Sequence, residues 1–116
     1  MKQLSKRSRA AQLVDHHERQ VQELRKDPEL ARGLLEDAIR ELLYGDEQAS
    51  LILLRDIIAA VGSFPELAEE IEVHPKALHK MLSERGNPTA TNLAALIRAL
   101  MKRLDLKPAE HLLTPA

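Results

Sequence analysis

Apolar residues recur at helical spacing along most of this chain. The two regular stripes are Ala31, Leu34, Leu35, Ala38 and Leu42, and Leu93, Leu96, Ile97, Leu100 and Leu104. Both match the 3.6-residue period of a helix with one buried face. A weaker helical pattern, carried by Leu13, Val14, Val21 and Leu24, covers residues 10–26, and no segment alternates with the two-residue period of a strand. The pattern therefore predicts an all-α fold.

The segment 46–61 is apolar on nearly every side. Its apolar residues are Leu51, Ile52, Leu53, Leu54, Ile57, Ile58 and Val61. Because a helix without a polar face is buried on several sides, we predict that this helix lies at the centre of the fold. The two halves of the chain, 10–61 and 62–104, would then share it within one helical domain, flanked by a basic arm at 1–9 and a tail at 105–116.

Capping residues divide the chain into about six helices. Helix starts are indicated at Asp27, Asp46, the S-x-x-E box from Ser63, Pro75 and Thr89. Gly45 and Gly62 follow the ends of two helices, where glycine is favoured. The leucines at 106, 112 and 113 lie beyond the last helix and are candidates for a homodimer contact.

Two short helices, at about 63–71 and 75–83, are separated by a three-residue turn, the length that a helix-turn-helix requires. Ala68 is the small residue expected where the two helices approach each other. Glycine is usual at the position of Glu72, so glutamate there predicts either another backbone geometry or strain at positive φ. The alternative is a helical hairpin with no role in DNA binding.

The second helix of a helix-turn-helix enters the DNA major groove with its N-terminus first. The residues predicted to contact DNA are Lys76, Ala77, His79, Lys80, Arg85, Asn87, Thr89 and Asn92. Lys76 and Lys80 lie one turn apart on one face, within reach of guanine acceptors or phosphate. Arg85 is a candidate phosphate clamp. For each residue the alternative is an ordinary solvated surface position.

Charge and aromatic content constrain this interpretation. The net charge of the 116-residue chain is −1, whereas DNA-binding domains are usually basic, so positive charge must be concentrated on one face. The acidic residues of the first short helix and turn, Glu66, Glu69, Glu70 and Glu72, must face away from phosphate. Tyr44 and Phe64 are the only aromatic residues, which argues against stacking on single-stranded nucleic acid.

The sequence carries no pattern typical of an enzyme. There is no cysteine, no phosphate-binding glycine loop and no nucleophile-elbow motif. The spacing of His16 with His17, and of His74 with His79, does not put two ligands on one helix face. We therefore predict a non-enzyme without metal or cofactor. The chain also lacks an apolar run long enough to span a bilayer and an apolar signal core, so a cytoplasmic location without membrane contact is expected.

The segment at 65–88, PELAEEIEVHPKALHKMLSERGNP, resembles the lambda-repressor-type (Xre) helix-turn-helix of HigA-like antitoxins, the addiction-module antidote proteins. DPELARGLLEDAI from Asp27 and GDEQASLILLRDIIAAVG at 45–62 are similar to the same family, so the resemblance covers residues 16–104. It implies a homodimer that binds double-stranded operator DNA, represses its own operon and neutralises a RelE-like toxin. The family's DNA-reading positions correspond to Lys76, Ala77, His79 and Lys80. Glu72 in place of glycine, and His74 with Pro75 in place of a serine-containing start, depart from the family pattern.

Phe64 or Pro65 stands where the first short helix commonly carries a glutamine, which removes one expected DNA contact. One subunit is therefore expected to bind DNA only modestly, and a dimer is needed. Two alternatives stay open. One is a protein-interaction module with weak or vestigial DNA binding, and the other is a stand-alone phage-like repressor without a toxin.

Overall fold

The structure, a computed structural model, describes the backbone of residues 9–116 and the side chains of residues 16–116. Within this part of the chain all regular secondary structure is helical, which confirms the predicted all-α class. The helices are α1 (Arg9–Lys26), α2 (Pro28–Leu43), α3 (Glu47–Val61), α4 (Phe64–Glu70), α5 (Pro75–Met81) and α6 (Ala90–Arg103). The basic arm predicted at 1–9 lies outside the described residues, except for the backbone of Arg9, which begins α1.

Four helices begin at the capping side chains that the sequence indicates. Asp27, Asp46, Ser63 and Thr89 each accept a hydrogen bond from the backbone N–H three residues further on, at 3.1–3.2 Å. Each bond satisfies one of the N–H groups that have no partner within the helix. The starts of α2, α3, α4 and α6 are therefore determined by local sequence.

Helix α3 lies at the centre, as predicted. It packs against α1, α2, α4 and α6, and its side chains Leu54, Ile57 and Ile58 have no exposed surface. Ile52 is the exception to burial on all sides, since it is 55% exposed. One hydrophobic core runs from Leu24 to Leu104 through both halves of the chain.

Helix α1 is attached to α3 by apolar and polar contacts. Val21 and Leu24 are buried, whereas the side chains of Leu13 and Val14, also predicted for this stripe, lie outside the described residues. The polar contact is centred on Asp56 of α3, which is only 6% exposed. Its two oxygens lie 3.0 Å from Nδ1 of His17 and 3.1 Å from Nε2 of Gln20. Burial raises the pKa of the Asp56 carboxyl, and the charge of His17 opposes that effect.

The tail after α6 is in contact with the core only at its beginning. Leu106 packs against the core, and the Leu104 carbonyl accepts a hydrogen bond from Nε of Arg32 at 2.8 Å. Leu112 and Leu113 are 70% and 75% exposed.

In the part of the chain described, none of the helices has the length and apolar character needed to cross a membrane.

Candidate functional site

Helices α4 and α5 are locked together by small and aliphatic side chains. Leu67 and Ala68 of α4 and Leu78 of α5 have no exposed surface. Leu96 and Leu100 of α6, 1% and 0% exposed, belong to the same core cluster. The burial of Ala68 agrees with its predicted place at the close approach. These contacts orient the outer face of α5, because Leu78 on its inner face is closely packed in the core.

The turn between α4 and α5 keeps a glycine-like backbone although it holds no glycine. Glu72 has φ of 60°, in the left-handed region that non-glycine residues rarely enter. The N–H of Glu72 donates to the Glu69 carbonyl at 3.1 Å, and that of Val73 donates to the Ala68 carbonyl at 2.9 Å. This hydrogen-bond pair is the Schellman motif. The expected strain at Glu72 is therefore present.

His74 caps α5, a role that the sequence analysis missed. Its Nδ1 accepts a hydrogen bond from the backbone N–H of Lys76 at 3.1 Å. The capping side chains favoured in proteins are those of Ser, Thr, Asp and Asn, and the only sequence signal here was the position of His74 directly before Pro75. A neutral imidazole that accepts at Nδ1 carries its proton on Nε2.

The outer face of α5 carries the side chains predicted from its sequence. Lys76, Ala77, His79 and Lys80 are all exposed. Across the side chains that the structure describes, neither Lys76 nor Lys80 forms an ion pair. Two unneutralised cations one turn apart thus lie on one face of a short helix.

His79 does not stand alone on this face. Its ring stacks on the ring of Phe64, with the centroids 4.0 Å apart and the planes inclined by 7°. Phe64 is the first residue of α4. No sequence pattern indicates this pair, because its formation depends on how α4 and α5 are oriented. Phe64, which with Pro65 is one of the two candidates for the usual glutamine position, therefore packs on a predicted DNA-contacting residue.

The loop after α5 folds back on the end of that helix. Gly86 donates its N–H to the Ser83 carbonyl at 2.8 Å, and a Cβ on Gly86 would lie only 2.0 Å from the Met81 carbonyl oxygen. Only glycine fits so close to backbone. The side-chain amide of Gln48 also donates to the Glu84 carbonyl, which ties the loop to α3.

The remaining predicted contacts divide into two groups. Arg85 and Asn87 are exposed on either side of Gly86, and so lie beside the C-terminal end of α5. Thr89 and Asn92 lie at the start of α6, where the Thr89 hydroxyl oxygen caps the helix by accepting from the Asn92 N–H at 3.1 Å. Asn92 is partly buried. Thr89 thus has a structural role that the prediction of DNA contact did not include.

Two of the three glutamates on α4 are paired with one arginine. Arg103 of α6 donates to Glu70 at 3.1 and 3.2 Å, to Glu66 at 3.4 Å, and to the Val61 carbonyl at 3.1 Å. The Glu66 carboxylate of the S-x-x-E box is thus directed to Arg103. Glu69 is exposed.

Among the described side chains, no three histidine, aspartate or glutamate residues come together as a group suited to hold a metal ion.

No protein-family model, curated protein or solved structure matches this chain. The resemblance to HigA-like antitoxins therefore stays a prediction. The outer face of α5 and the loop that follows it carry the exposed cations Lys76, Lys80 and Arg85.

Proposed function

We propose that this protein is a transcriptional regulator that binds double-stranded DNA in a sequence-specific manner through the outer face of α5. The observation that carries the proposal is the pair of exposed cations Lys76 and Lys80, which form no ion pair among the described side chains. They lie on a helix whose opposite face packs on the core through the buried Leu78 and the partly buried Met81. Lysine ammonium groups donate to guanine O6 and N7 in the major groove and to phosphate oxygens.

The dimensions of α5 suit a groove. An α-helix with its side chains is about 10–12 Å across, and the major groove, about 12 Å wide, admits one such helix. Arg85 and Asn87, beside the C-terminal end of α5, supply further donors for the DNA backbone. In this proposal Thr89 caps the first turn of α6 by accepting from the backbone N–H of Asn92. The hydroxyl proton of Thr89 and the side-chain amide of Asn92 are the donors that contact phosphate.

The near-neutral net charge is compatible with this role because part of the acidic charge is paired internally. Arg103 holds Glu66 and Glu70 through the contacts described above. Phosphate then meets the cations of α5 with less opposing charge nearby, and the electrostatic part of affinity depends on such local contacts. A homodimer that reads two half-sites would compensate for the modest contact surface of one copy.

We further propose that the regulator is the antitoxin of a toxin–antitoxin operon, which represses its own promoter and neutralises a RelE-like toxin. Its support is the resemblance over residues 16–104. A gene for a small basic toxin next to this one, and co-purification of the two products, are the expected observations. A protein that purifies alone from its host, with no such neighbour, favours a stand-alone phage-like repressor.

One observation favours a second candidate, a protein-interaction module with weak DNA binding. Leu43 and Tyr44, at the end of α2, are 70% and 82% exposed. Exposed apolar side chains on a soluble domain often mark contacts with another protein. This candidate predicts a stable complex with a partner and no salt-dependent affinity for DNA.

Selection of bound sites from a random duplex library, followed by affinity measurements on the enriched site, tests the proposal. The wild type should enrich an inverted repeat. Lys76→Ala with Lys80→Ala should weaken binding to that site by at least about 10-fold and lower the dependence on salt by about two ion equivalents. The control, Lys26→Ala with Lys102→Ala, removes the same charge elsewhere and should bind nearly as the wild type. Equal losses in both double variants, or no enrichment, would contradict the proposal.

A further inference from the structure

The stacked pair of Phe64 and His79 joins the start of α4 to the outer face of α5. The rings are almost parallel, at 4.0 Å and 7°, and Phe64 is the only phenylalanine in the chain. Phe64 is partly buried against the core, whereas His79 is exposed. One ring of the pair is thus anchored in the core and the other faces solvent.

The position of His79 relates the pair to the proposed DNA surface. His79 follows Lys76 by three residues, so the two lie on one face of α5, and Lys80 is its neighbour in sequence. Stacking covers one face of the imidazole. The ring edge, which carries the N–H donor, is not used by stacking and stays available for a hydrogen bond.

We propose that Phe64 is a positioning residue for DNA recognition, which holds the imidazole of His79 so that its N–H donates to an acceptor on duplex DNA, a base edge or a phosphate oxygen. This inference rests on the proposed function. A free imidazole loses rotamer entropy when it binds, and a side chain already held by a neighbouring ring loses less. Phe64 thereby contributes to DNA contact indirectly, through His79.

The test compares affinity for the selected DNA site among variants of the full-length chain. Phe64→Ala and His79→Ala should each weaken binding by about 5- to 10-fold, the effect of one hydrogen bond to a charged or polar acceptor. The double variant should bind no more weakly than His79→Ala alone, because Phe64 acts through His79. Phe64→Tyr, which keeps the aromatic ring, should restore binding to within about 2-fold of the wild type.

A matched control distinguishes the proposed positioning role of Phe64 from a purely structural role. Ile71→Ala removes another partly buried apolar side chain of the same helix pair that does not stack on His79. It should lower the melting temperature without weakening DNA binding measured well below that temperature. Where Phe64→Ala does not fold, Phe64→Leu keeps the aliphatic packing, lacks a flat ring and should show the same loss of affinity.

The stack also has a signature in the absence of DNA. The ring protons of His79 should move downfield in the NMR spectrum when Phe64 is replaced by Leu, because the ring current of Phe64 is lost, and Phe64→Tyr should keep them upfield. Independent losses that add up in the double variant would overturn the inference while the proposed function stands. A wild type that binds no DNA would remove both.

Discussion

The helices on the two sides of α3 are held to it by different chemistry. On the α1 side, a buried carboxylate, Asp56, contacts Gln20 and His17. On the other side, α4 and α5 meet through Leu67, Ala68 and Leu78, which bring no polar atom into the contact. A buried polar contact depends on the protonation of its members, whereas apolar packing does not. The direct contact of α5 with α4 is thus apolar, while the ion pairs of Arg103 with Glu66 and Glu70 add a charged contact between α6 and α4.

The two sides also expose different surfaces. The turn between α2 and α3 presents Leu43 and Tyr44, while α5 presents Lys76 and Lys80. The first surface suits a protein partner and the second suits a polyanion. The two surfaces share no residue, so a protein partner and a polyanion would contact different side chains.

The largest effect is expected from a cavity in the apolar attachment. Leu78→Ala should lower the free energy of unfolding by about 2–5 kcal/mol, because it removes a fully buried side chain. Leu35→Ala, a matched change in α2 on the other side, should cost a similar amount. Denaturant titrations followed by circular dichroism should give one cooperative transition for both variants. Two separate transitions in either variant would contradict a single core shared through α3.

A smaller, pH-dependent effect is expected on the α1 side. Burial raises the pKa of Asp56 above its ordinary value of 3.8. The folded chain therefore holds the proton at Asp56 more tightly than the unfolded chain, and this group's contribution to stability falls as pH rises from the ordinary pKa through the raised one. Asp56→Asn cannot ionise, so it should gain stability relative to the wild type as pH rises through that window.

Thermal or denaturant unfolding of both proteins across this pH range measures the effect. The comparison is repeated in a His17→Gln background, so that Asp56 is the titrating member of the pair. Asp37→Asn, on an exposed carboxylate of α2, is the control and should not show the same trend. A constant difference between Asp56→Asn and the wild type at all pH values would contradict the raised pKa.

The smallest effect on stability is expected in the turn between α4 and α5. Glu72→Gly should raise the free energy of unfolding by about 0.5–1 kcal/mol, since the left-handed conformation at φ of 60° costs glutamate but not glycine. Gly45, with φ of 87°, ends α2 with the same type of turn, so Gly45→Ala should lower stability by a comparable amount. Denaturation midpoints measure both changes. A loss of stability in Glu72→Gly would show that the glutamate side chain has a stabilising contact that outweighs the backbone strain.

The sequence predicted those features that depend on residues close together along the chain. The caps at Asp27, Asp46, Ser63 and Thr89 involve residues three apart, so local pattern was sufficient. The central position of α3 also followed from its own composition. The exposure of Ile52 did not, because it depends on how the surrounding helices are arranged.

For the candidate site, too, the sequence predicted local features but not contacts between residues far apart along the chain. The exposed residues of α5 followed from helical periodicity and the position of the turn. The stack of Phe64 on His79 joins residues 15 apart, and the contact of Arg103 with Glu70 spans 33 positions. No single-sequence pattern encodes such pairs, because their formation requires the packed orientation of α4, α5 and α6.

The contacts of Arg103 have a consequence for transplanting this surface to another scaffold. A graft limited to α4 and α5 would leave Glu66 and Glu70 without the arginine that pairs with them, and would leave Leu67 and Leu78 without the leucines of α6. The Val61 carbonyl would also lose its donor. A graft of this surface therefore needs at least the continuous stretch 61–104, together with a replacement for the contacts that α3 makes with it.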